Sequence, residues 1–201
     1  IDPEYVVAVG GRVGEIVGYQ NAGRYEVSDF TGYNASTDKW TLKDGVEDAT
    51  AIIGKLRPGA LKLKDQDGDH KVTASDKVKI GDVTPDCFGG FNINARVYNF
   101  DLSAQFNYSI GNQEYNANKI EYTTTGKYIY RNMIDVMKEG KRWTNLDPET
   151  GLLSNDPDRL AKLNEHTTMW SPYMSKMVLT DWAIEDASFL RLNTLTIGYT
   201  L

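Results

Sequence analysis

One cysteine, two histidines and six prolines are all that 201 residues contain of these types. A lone Cys87 excludes an internal disulfide framework and any zinc site built from several thiolates. His70 and His166 belong to no Ser, Cys or carboxylate motif, so neither marks a histidine-based catalytic centre, and both read as exposed loop residues. Cationic clusters are missing too. The 22 Lys and Arg are outnumbered by 28 Asp and Glu, for a net charge of -6, opposite in sign to what phosphate binding requires. No apolar run nears the roughly 18 residues of a membrane helix, and Ile1 starts without the basic and apolar regions of a signal peptide. These absences leave one kind of membrane protein open. Strands that alternate apolar and polar residues over about 10 positions cross a bilayer while keeping a hydrophilic average.

What is present favours strands. The chain holds 18 Gly, 12 Tyr, 6 Phe and 4 Trp, a mixture suited to extended segments, tight turns and contact edges. The strongest pattern runs over 88–110. Phe91, Ile93, Ala95 and Val97 take odd positions; Phe100, Leu102, Ala104, Phe106, Tyr108 and Ile110 take even ones. A two-residue turn at Tyr98-Asn99 would set Val97 opposite Phe100 and return every apolar side chain to one face. The second strand spans about 11 residues with no charge after Asp101, the length of a bilayer crossing. A long hairpin in a soluble sandwich reads equally from the pattern. The opposite face, rich in Asn, Gln and Ser, suits a water-filled lumen or bulk solvent.

The end of the chain repeats the signal. Leu195, Ile197, Tyr199 and Leu201 share one face of a strand over 187–201 that runs to the last residue, as a truncated barrel strand would. Residues 1–87 read as upstream strands and loops, and 111–186 as a long insertion with short helices. Spacing of Tyr130, Met133, Ile134 and Met137 predicts a helix from Lys127 to Glu139. Asp156-Pro157 predicts an N-cap and first turn of a second helix through Leu163.

Residues 65–76 carry the one metal-like motif. Asp65, Asp67, Asp69 and Asp76 occupy positions 1, 3, 5 and 12 of a twelve-residue loop, with the Lys71 carbonyl at position 7, the spacing of a calcium loop. His70 stands where a turn glycine is expected, and Asp76 is shorter than the usual Glu. A solvated acidic turn is the competing reading. The Glu185-Asp186 pair does not read as a glycosidase couple, since adjacent residues of an extended segment point apart. Trp143, Trp170 and Trp182 are candidates for surface contacts to a sugar or a partner, or for packing inside the insertion. No acid, base or nucleophile set emerges, so no enzyme is expected.

The string from Arg57 through Asp69, followed by Asp76, Ile80-Gly81, Thr84-Pro85-Asp86, Gly90-Phe91-Asn92 and Phe100-Asp101-Leu102 to Gly111-Asn112, resembles the C-terminal region of SusC/RagA-like TonB-linked transporters. Arg142-Trp143-Thr144, and Trp182 through Leu201, are similar to that family's segment before its last strands, and Gly14 through Tyr25 to an upstream one. These are TonB-dependent outer-membrane transporters of Bacteroidetes. Cys87 stands where an apolar or aromatic residue would be expected. The resemblance implies a fragment of a 22-stranded antiparallel transmembrane β-barrel, with a SusD-like lipoprotein capturing glycan or peptide nutrient outside and TonB acting through an N-terminal part absent from this sequence. It implies that the Tyr98-Asn99 turn is periplasmic, that 1–87 and 111–186 supply extracellular loops, and that calcium at 65–76 is structural. The alternative function is a soluble, calcium-stabilised, carbohydrate-binding adhesin module.

Overall fold

A computed structural model describes residues 4–7, 9–125, 130–174, 176 and 178–201. The chain is mainly β with short helices. Ahead of a long hairpin come β1 (Glu4–Val6), β2 (Glu15–Gly18), β3 (Asn21–Arg24), β4 (Phe30–Asn34), β5 (Lys39–Leu42), α1 (Thr50–Ile53), β6 (Leu61–Leu63) and β7 (Val78–Asp82). The hairpin itself is β8 (Cys87–Val97) and β9 (Phe100–Ile110). Behind it follow β10 (Gln113–Tyr115), α2 (Ala117–Glu121), α3 (Pro157–Leu163), β11 (Ile184–Asp186) and β12 (Phe189–Tyr199). The three long strands form one antiparallel sheet in the order β12-β9-β8, and the short elements fold beside it as a lobe.

The hairpin register is the one its parity switch demands. Val97 pairs with Phe100 and Cys87 with Ile110, so Tyr98 and Asn99 alone make the turn. Tyr98 adopts φ 55°, the left-handed geometry that lets a two-residue turn follow the twist of its strands. β12 pairs with β9 from Phe189 opposite Ser109 to Tyr199 opposite Phe100, with a register shift between Leu192 and Thr194. Asn193 is the extra residue. That bulge carries Leu190 and Leu192 onto the same face as Leu195, Ile197 and Tyr199 despite their opposite parity. Leu201 lies beyond the strand's end.

One face of this sheet is therefore apolar, and among the described residues nothing covers it. Ile93, Leu195 and Ile197 are 49%, 55% and 69% exposed. Aromatic rings bracket the aliphatic middle. Phe100 and Tyr199 pack at 4.8 Å near the turn, and Phe91 stacks on Phe106 at 4.9 Å towards the other end. Six residues of strand, about 20 Å, separate Phe100 from Phe106. The opposite face is polar, with Ser103 Oγ donating to Asn94 Oδ1 (2.8 Å) and Arg96 beside Asp101 (3.6 Å).

The lobe draws its core from chain on both sides of the hairpin. Tyr19, Tyr25, Phe30, Ile53, Leu61, Leu63 and Val72 pack with Met137 and Trp170. A second cluster joins Ile16 to Ile120, Leu179 and Ala183. Backbone bonds tie the halves: Tyr19 N–H donates to the Leu179 carbonyl (3.1 Å) and Ser171 N–H to the Gly59 carbonyl (2.7 Å). The regions 1–87 and 111–186 thus fold together.

Asp156 caps α3, its carboxylate accepting from Arg159 N–H at 2.8 Å, with Pro157 in the first turn. The helix expected from Lys127 to Glu139 does not form over its described part. Residues 127–129 lie outside the described residues. Beyond them only a single 3-10 turn, Asp135–Met137, is present. Ile134 and Lys138 are extended (ψ 156° and 161°), and Tyr130 is 95% exposed. Met133, Ile134 and Met137 are spaced as if on a helix, but long-range packing holds them against the core. Among the described residues, no helix is long and apolar enough to cross a membrane.

Candidate functional site

The acidic loop is pinned to the core at both ends, by Leu63 before it and Val72 within it, both fully buried. Asp65 organises its first turn. One carboxylate oxygen accepts from the N–H groups of Asp67 (3.0 Å) and Gly68 (2.8 Å), and the other from His70 N–H (2.8 Å). These bonds, Gly68 foremost, hold the Asp65 carboxyl below the ordinary carboxylate range. Asp76, wholly buried, closes the loop by accepting from Gln66 N–H (2.8 Å) and Thr73 N–H (2.7 Å).

The structure brings Asp65, Asp67 and Asp76 together: each offers a carboxylate oxygen, all within 4.8 Å of one another. Asp67 carries the strain of that arrangement. A hydrogen bond from Asp69 N–H favours its charged form, but loss of water and the charges of Asp69, Asp76 and Asp65 outweigh it and push its pKa up. The two groups therefore act with opposite sign. Asp65 stabilises the folded loop above its unfolded pKa and loses that contribution as pH falls. Asp67 opposes folding at neutral pH and is relieved by protonation or by a counter-charge. Three convergent oxygens with excess negative charge fit a hard divalent cation.

Asp69 is not part of the trio; its carboxylate accepts from Lys71 N–H at 2.7 Å. Lys71 itself is exposed, and its backbone is fixed from either side, since Asp48 N–H donates to the His70 carbonyl and Val72 N–H to the Asp48 carbonyl, each at 2.9 Å. His70 takes φ 63°, the conformation for which a glycine was expected. This costs about 1–2 kcal/mol relative to glycine.

The tryptophans sit deeper than surface contacts would. Trp143 is 2% exposed and Trp170 6%. Trp143 donates its indole N–H to Asn145 Oδ1 (3.0 Å), and the Arg24 guanidinium lies 4.8 Å from its ring centre. Trp170 meets half-buried Trp182 edge to face at 5.0 Å, and Lys119 Nζ stands 5.0 Å from the Trp182 ring. Trp143 and Trp170 are core residues, because the two halves of the lobe close over them.

No family model matches the chain. Over 196 residues, 98% of its length, it is 24% identical to TonB-dependent receptor P3 of Formosa agariphila; over 163 residues, 81% of its length, it is 26% identical to TonB-dependent receptor P26 of the same organism. The chain is similar to a segment of TonB-dependent receptors. It spans 16% and 14% of the length of these two relatives, a small part of each.

The Glu185-Asp186 pair is engaged locally. Glu185 accepts from Asn116 Nδ2 (2.8 Å) and pairs with Lys119 (3.0 Å), whereas Asp186 accepts from the Ser188 N–H (2.9 Å). Trp143, named from the sequence, also lines a concave surface; sequence reasoning missed the other two aromatic residues there, Trp40 and Tyr173. Trp40 was legible from its place in a short alternating segment, Lys39–Leu42. Tyr173 had no local signal.

Proposed function

We propose that this chain supplies three barrel strands and the outer loops of a SusC/RagA-like TonB-dependent transporter, importing glycans or other nutrients with a SusD-like lipoprotein at the cell surface. One observation carries the reading: strands of 11 residues present an uncovered apolar face bracketed by aromatic rings. At about 3.3 Å per residue and a tilt near 45°, such strands span roughly 25 Å, the height of an outer-membrane barrel's lipid-facing band. A soluble adhesin module would leave that whole face in water, a patch larger than soluble monomers usually tolerate.

Periplasmic turns of such barrels are short and outer loops long. The Tyr98-Asn99 turn then faces the periplasm and the lobe the outside. Trypsin added to intact cells is expected to cut the protein around Lys138 and Lys141, whose side chains are 58% and 42% exposed. Cleavage seen only after the outer membrane is permeabilised would reverse the orientation.

In this setting calcium at Asp65, Asp67 and Asp76 is structural, stiffening an outer loop. Millimolar calcium is expected to raise the thermal midpoint of the full-length protein above its value in chelator. Asp67→Asn should abolish that response while leaving the calcium-free midpoint equal or higher, because it removes the crowded charge. Differential scanning fluorimetry reads both, and a wild-type midpoint insensitive to calcium would remove the site.

A further inference from the structure

A cleft of about 740 Å³ opens in the lobe where the β4–β5 hairpin and the Lys55–Arg57 turn meet residues 142–155 and 171–173. Its charge runs against that of the chain. Lys55, Arg57 and Arg142 line it with a single carboxylate, Asp38. Asp38 is already committed, paired with Lys55 and accepting from Tyr33 Oη–H at 2.8 Å. Arg57 donates to the Tyr173 carbonyl (2.8 Å) and Arg142 to the Met137 carbonyl (2.9 Å). Among the described residues neither forms an ion pair with a carboxylate, although Arg57 lies within electrostatic reach of Asp38. Two guanidinium groups are thus oriented by neutral carbonyls, with N–H groups to spare, in a protein of net charge -6. Guanidinium forks match carboxylate and sulfate oxygens in pairs.

The rest of the lining suits a sugar. Tyr173 is 69% exposed. Trp40 is half-buried and braced edge to face on Phe30 at 5.6 Å. Such rings offer flat apolar faces to the C–H side of a pyranose, and the Asn155 amide in the same lining can meet hydroxyls.

We propose that this cleft binds an acidic oligosaccharide, with its carboxylate or sulfate on Arg57 and Arg142 and a sugar ring against Tyr173. The binding chemistry stands on the cleft alone; its role in uptake rests on the transporter reading.

The test is calorimetric titration of the full-length protein in detergent with length-matched oligogalacturonate, sulfated galacto-oligosaccharide, neutral oligosaccharide and a Glu-rich peptide. At least one acidic glycan should bind, more weakly as salt rises, with the neutral glycan at least about tenfold weaker, the scale of lost charge-assisted hydrogen bonds. Carboxylated and sulfated arms distinguish the two anions. Arg57→Gln with Arg142→Gln should lose that preference, and Tyr173→Ala, an exposed substitution that spares the fold, should weaken every bound glycan. Equal binding of neutral and acidic glycans, preference for the peptide, no binding at all, or variants that bind as wild type would overturn the proposal. A protein that binds acidic glycan yet resists surface proteolysis defeats the transporter orientation and leaves the cleft standing; a surface-exposed one that binds none defeats the cleft alone.

Discussion

On the proposed barrel reading, Leu195→Arg is expected to cost the full-length protein about 2–4 kcal/mol in the membrane and to reduce its assembly sharply, while Thr196→Arg, one residue on, leaves both nearly unchanged. The two positions differ only in face. Leu195 lies opposite Ala104, which pairs on its other side with Ile93, in the aliphatic middle between the aromatic rows. Thr196 lies opposite Ser103, itself opposite Asn94, on the polar side. A guanidinium at Leu195 would have to leave water for hydrocarbon near mid-depth, where snorkelling reaches the interface least. Heat-modifiable gel migration reads assembly and urea unfolding in lipid reads stability. Equal tolerance at both positions would mean that the face is not lipid-exposed.

Gly59→Ala should loosen the lobe around Trp143 without touching the long strands. Gly59 holds φ 84°, and a Cβ there would overlap the Trp143 ring. The backbone cannot retreat, since Gly59 N–H donates to the Tyr25 carbonyl and its own carbonyl accepts from Ser171 N–H, both at 2.7 Å. Left-handed strain of about 1–2 kcal/mol and overpacking of about 1–3 kcal/mol add to a loss of several kcal/mol. Proteolysis of the lobe should accelerate, tryptophan emission should shift to the red, and heat-modifiable migration of the barrel should persist. An unchanged emission spectrum would show that Trp143 can yield.

The strands were legible because one environment sits on each side of them. A period of two is conspicuous when one face is apolar, and the parity switch at Tyr98-Asn99 located the turn to the residue. The Asn193 bulge was written in the same code, as Leu190 and Leu192 followed by Leu195, Ile197 and Tyr199, but only the later set was read. The lobe resisted reading because its contacts are not local. Tyr19 finds Leu179 and Gly59 finds Ser171 across more than a hundred residues, which no window of sequence reveals. For the same reason Met133, Ile134 and Met137 imitated a helix face, and the buried positions of Trp143 and Trp170 were left undecided. In the acidic loop, spacing put Asp65, Asp67, Asp69, Lys71 and Asp76 in one set; that Asp65, Asp67 and Asp76 would converge while Asp69 turned to Lys71 N–H was a matter of backbone geometry.

The lobe's mixed parentage also sets an order of assembly. β8 and β9 meet across two residues and close at little entropic cost, whereas Ile16 and Tyr19 must wait for residues 179–183, which are made after the hairpin is complete. The hairpin is therefore expected to form before the lobe closes, since the lobe needs chain from both sides of it.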